Sequence, residues 1–75
     1  MSWKKIGYKL KKKYSRNFVA CDDRYERFYI IDLILEEFPY YTHPQVETAF
    51  DTCCNSVPAP MIRGKFIECL KAELR

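Results

Sequence analysis

Residues 22–38 run for seventeen positions without a glycine or proline, and this stretch constrains the fold more than any other. It is long for a strand, although the β-branched residues in 28–35 would suit a buried one, so the reading is a helix. Asp22 and Asp23 are placed to cap its start, where acidic groups suit the positive end of the helix dipole, and Pro39 stops it. Tyr25, Phe28, Ile31, Leu35 and Phe38 mark one apolar face, and Tyr29, Ile30, Leu33 and Ile34 spread apolar surface around much of the rest. A helix so apolar is expected at the centre of its domain. Asp32 falls among the aromatic residues of this wheel, so it is expected to be buried with a partner: a tyrosine hydroxyl, Arg24, Arg63 or Lys65.

The next segment opens with Thr42, His43, Pro44 and Gln45, a capping-box pattern in which the Thr42 hydroxyl and the Gln45 side chain each satisfy a backbone amide. Val46, Ala49, Phe50, Cys53, Cys54 and Val57 then recur at i, i+3, i+4, i+7, i+8 and i+11, with polar residues opposite. A third helix is expected within 61–74, with Pro60 in its first turn, a stripe of Ile62, Phe66, Cys69 and Leu70, and Lys71 and Arg75 at the negative end of its dipole. Gly64 lies on its outward side and marks either close approach of another backbone or drift.

Seventy-five residues make one core, because a chain this short buries only about 60% of its unfolded surface. Such a core supplies about 3 to 5 kcal/mol, so a staple, a metal or an oligomer partner is a fair expectation. Twelve aromatic residues exceed what a small interior hides, which leaves some for a partner.

Charge is unevenly distributed. Residues 1–21 carry Lys4, Lys5, Lys9, Lys11, Lys12, Lys13 and Arg16 and no acid, whereas 22–75 hold the other six basic residues and all ten acids. The organisation read from this is a basic aromatic arm over 1–21 joined to an acidic helical domain over 22–75. Trp3, Ile6, Leu10 and Tyr14 recur at helical spacing, while Ile6, Tyr8 and Leu10 also alternate with lysines as in a strand; the helix is preferred, with Gly7 costing about 1 kcal/mol against alanine. The fold class is therefore all-α: a small three-helix bundle-like domain with a basic N-terminal arm able to add a fourth helix.

Four candidate chemistries follow. Cys21, Cys53, Cys54 and Cys69 with His43 have the residue types of a zinc site, but adjacent Cys53 and Cys54 point about 100 degrees apart on a helix and no C-x2-C knuckle is present. The segment before Tyr14 shows no continuous apolar core and no cleavage site of a secretory signal. The expectation is accordingly a cytoplasmic protein with reduced core thiols, a Cys69 bridge to Cys53 or Cys54 being the lesser reading. His43 reads as a cap or turn residue, and no nucleophile, base and oxyanion constellation is legible, so the chain is read as a non-enzyme without cofactor or metal. A helix-turn-helix is disfavoured by the long 55–60 link and by basic residues scattered around the last helix.

The basic arm is the remaining function-like element. Trp3, Lys4, Lys5, Lys9, Lys11, Lys12, Lys13 and Arg16 are the candidate contact residues for an acidic surface. A small interaction module is expected, binding a protein partner or a second copy of itself. Nucleic acid, bound by the basic arm together with the last helix, is the alternative, since clustered lysines and aromatics neutralise phosphates and stack on bases. An anionic membrane surface suits the same pattern, as does a plain solvated tail or a strand of the core with its lysines on the wet face. A metal or redox role for the cysteines ranks third.

Overall fold

The computed structural model describes residues 3–74. It contains four helices, α1 (Trp3–Lys13), α2 (Arg24–Glu37), α3 (His43–Ser56) and α4 (Arg63–Glu73), and no strand among the described residues. Each helix lies against two others in a closed ring, α1 on α2, α2 on α3, α3 on α4 and α4 on α1, so that α1 and α3 are diagonal, as are α2 and α4. The radius of gyration, 11.0 Å, matches the value of about 11 Å for a compact chain of this length and leaves no room for an extended arm.

The helix ends follow local chemistry. Asp23 caps α2, its Oδ1 accepting from the amides of Tyr25 at 3.0 Å and Glu26 at 3.2 Å. The capping box of α3 is complete: Gln45 N donates to Thr42 Oγ1 at 3.3 Å and Thr42 N donates to Gln45 Oε1 at 2.8 Å. The start of α4 departs from expectation. Pro60 stands outside the helix in the preceding loop, Ile62 occupies the cap with no side-chain hydrogen bond, and the amide of Arg63 donates instead to the carbonyl of Asn17 at 3.0 Å. A neighbouring chain segment thus satisfies an amide that the helix itself leaves open. The same segment forms a short antiparallel bridge, Phe18 to Ile62, with Val19 N donating to Met61 O at 3.0 Å.

Ile6 and Leu10 of α1, Ile30 and Ile34 of α2, Val46 and Phe50 of α3, and Phe66 and Leu70 of α4 meet in one buried core. Phe50 and Phe66 pack edge to face with centroids 5.1 Å apart. The stripes expected on α3 and α4 are the ones that face inward. The helical spacing of Trp3, Ile6, Leu10 and Tyr14 is also the packed face of α1, so the basic segment is a wall of the bundle and does not stand apart from it.

Two further expectations are corrected, and one is narrowed. The cysteines are not free core thiols: Cys21 is bridged to Cys54, with Cα atoms 6.1 Å apart, and Cys53 to Cys69, with Cα atoms 5.8 Å apart. Consecutive residues of α3 point in different directions, so each reaches a different neighbour, one the 14–23 loop and the other α4. The two bridges span separations of 33 and 16 residues, which in the chain-entropy account stabilise by about 4 and about 3 kcal/mol. Asp32 is exposed, as are Tyr25 and Phe28, because α2 packs only on α1 and α3 and its remaining side faces water. Gly64 has no atom within 4 Å of where a Cβ would stand, so close approach of a backbone does not explain it. Arg75, expected at the end of the last helix, lies outside the described residues.

Candidate interaction surface

The six lysines of α1 divide by the side of the helix on which they sit. Lys5, Lys9 and Lys13 recur every four residues along the flank facing α2. Lys5 Nζ lies 3.9 Å from Glu37 Oε1, Lys9 Nζ 3.5 Å from Glu36 Oε1, and Lys13 Nζ stands 5.2 Å from the centroid of the Tyr29 ring. Beyond the helix, Arg16 pairs with Glu26 and approaches Asp23 at 3.8 Å. The partners descend along α2 as the basic residues ascend along α1, so these two helices are antiparallel and zipped by charge.

Arg16 and Glu26 form the most enclosed of these contacts, with the Glu26 side chain only 1% exposed. Its Oε1 also accepts from Ala20 N at 3.2 Å. Arg63, buried at the start of α4, donates to the carbonyls of Tyr14 and Arg16, the former at 2.7 Å. The 14–23 loop is therefore held by a carboxylate from α2, a guanidinium from α4 and the bridge to Cys54. Tyr14, enclosed there, has its hydroxyl pKa raised above 10.0, first by desolvation and then by the negative charges of Glu26 and Asp23.

The outward side of α1 differs. Lys4, Tyr8, Lys11 and Lys12 share one outward face, all exposed, with Tyr8 62% accessible and Lys12 Nζ 5.6 Å from its ring centroid. Lys4, Lys11 and Lys12 make no ion pair with a carboxylate among the described residues. Trp3 is half-buried and stacks at 5.0 Å on Phe38, which anchors the helix start. On the flank toward α4, a Cβ added at Gly7 would stand 3.5 Å from Ile67 Cδ1, an ordinary contact.

The structure thus brings Lys4, Lys11 and Lys12 together on an open face and draws Lys5, Lys9, Lys13 and Arg16 into contacts with the chain itself. Tyr8, one of the aromatics that interleave the lysines in sequence, belongs at the centre of that face. The signal was present in the register, since 4, 8, 11 and 12 lie on one side of a helix and 5, 9 and 13 on another.

Elsewhere, His43 Nδ1 lies 3.5 Å from Glu47 Oε1 at the exposed start of α3. Among the described residues no three histidine, cysteine, aspartate or glutamate side chains converge as a metal site would require. No helix among them is long and apolar enough to cross a membrane. Comparison with protein-family models, curated proteins and solved structures finds no match.

Proposed function

We propose that this protein is a non-enzymatic interaction module that presents the Lys4, Tyr8, Lys11 and Lys12 face of α1 to an acidic protein surface. The observation that carries this reading is the division of the basic segment: one flank is neutralised within the bundle, and three lysines around an exposed tyrosine are held outward on a rigid, packed helix. A preordered face loses little conformational entropy on binding, unlike a free tail.

Three outward lysines also favour an acidic protein over nucleic acid as the partner. Release of about three counterions corresponds to a shallow salt slope of about −2.7, well below that of proteins that contact six or more phosphates. The two disulfides bear on compartment, since such bridges persist in oxidising surroundings. An oxidising compartment replaces the cytoplasm as the setting in which the acidic partner is sought.

Deleting residues 1–16 is not a usable test, because it would remove Ile6 and Leu10 from the core. The substitutions Lys4→Glu, Lys11→Glu and Lys12→Glu, made together in the full chain, change only exposed side chains. The native chain is expected to bind poly-glutamate with an affinity that falls as salt is raised, and the triple variant is expected to lose that binding. Equal binding by both chains would refute the assignment. Stronger binding to a single-stranded oligonucleotide than to poly-glutamate would transfer it to nucleic acid.

A further inference from the structure

α2 has neighbours on two sides only, α1 and α3. On its outer side Arg24, Tyr25, Phe28 and Asp32 all face water, with Tyr25 79% and Phe28 49% exposed. Arg24, Phe28 and Asp32 are four residues apart and climb one side of the helix at intervals of about 6 Å. They set a cation, an aromatic ring and an anion in a row. Neither Arg24 nor Asp32 makes an ion pair among the described residues, whereas nearby Arg27 is turned toward α3 and holds Asp51 at 2.5 Å.

That row is its own complement. A two-fold axis through position 28 reverses the helix, so position 24 of one copy meets position 32 of the other, and position 28 meets itself. Each Arg24 then faces an Asp32, twice over, while the two Phe28 rings pack at the centre with Tyr25 beside them. A parallel pairing would set Arg24 against Arg24 and Asp32 against Asp32. A central aromatic contact bordered by charge matches the usual composition of a protein interface.

We infer that α2 is a homodimer seam, on which a second copy of this chain lays its own α2 antiparallel with Phe28 at the dyad. The seam is a different face from the one that α1 presents, so it stands independently of the acidic-partner reading. One helix face buries less than the roughly 800 Å² per partner of a standard interface, so the dimer is weak and depends on concentration.

The test is self-association of the full, oxidised chain, measured by sedimentation equilibrium and by NMR shift changes on dilution. The expected result is a monomer–dimer equilibrium whose shift changes centre on residues 24–32. Arg24→Glu alone and Asp32→Arg alone each oppose like charges across the seam and are expected to weaken association about tenfold or more. The two substitutions together are expected to restore it, and Phe28→Ser to abolish it. All three side chains are exposed, so an unchanged helical circular dichroism spectrum and melting temperature certify each variant as folded. A chain that stays monomeric to its solubility limit would overturn the inference. So would a dimer indifferent to Phe28→Ser, or a double charge reversal that fails to recover association. The triple lysine variant of α1 is expected to dimerise normally, which separates failure of this seam from failure of the α1 assignment.

Discussion

The Arg16 and Glu26 contact and the Lys9 and Glu36 contact join the same basic segment to the same helix, yet they do different work. Glu26 is 1% exposed and its partner 33%, whereas Glu36 is 73% exposed and Lys9 40%. Water screens the second pair from both sides, so its attraction is largely spent against hydration. The first pair sits where the 14–23 loop, α2 and the start of α4 converge, with a disulfide close by, and its carboxylate has no water to return to. Charge count in the sequence treats the two alike; the difference in dielectric decides which one organises the fold.

The largest test of that comparison removes the covalent pin on the loop. Replacing Cys21 and Cys54 together by alanine is expected to lower stability by about 4 kcal/mol, measured by urea denaturation, with the Cys53 to Cys69 bridge retained. Arg16→Met comes next. It leaves the Glu26 carboxylate enclosed without its counter-charge and is expected to cost about 3 kcal/mol, against no more than about 1 kcal/mol for Glu36→Gln at the exposed pair. Equal losses in the two variants would erase the distinction between the sites.

Smaller effects sharpen it. Gly64→Ala on α4, where a Cβ meets open space, is expected to stabilise by up to about 1 kcal/mol through helix propensity, seen as a raised melting temperature. The smallest effect expected is at Tyr14. Its folded-state pKa is raised, so its contribution to stability is complete below the ordinary phenol value of 10.0 and is lost as pH climbs through the higher folded value. An absorbance titration resolving Tyr14 is expected to show it ionising later than in the unfolded chain, and Arg16→Met is expected to move that titration because Arg16 opposes the shift.

Much of the architecture was legible in the residues. The caps Asp23 and Thr42, the stop at Pro39 and the stripes of α3 and α4 all act within a few positions along the chain, and they stand where helical periodicity places them. The candidate surface was legible only in part. The lysines of α1 are evident, but their separation into Lys5, Lys9 and Lys13 on one side and Lys4, Lys11 and Lys12 on the other has meaning only once α2 is known to lie along the first flank. The burial of Glu26 and Arg63 carried no local signal, since both belong to residue types usually found in water.

The sequence by itself determined an all-α chain, the limits of α2 and α3 and which stripes of α3 and α4 are apolar, because hydrogen bonding and side-chain period operate over one or two turns. Tertiary structure alone decided how the cysteines pair, which carboxylate is enclosed and which face of the most apolar helix meets water. Those outcomes depend on what stands opposite in space, and residues far apart in the chain come opposite one another only when the bundle closes.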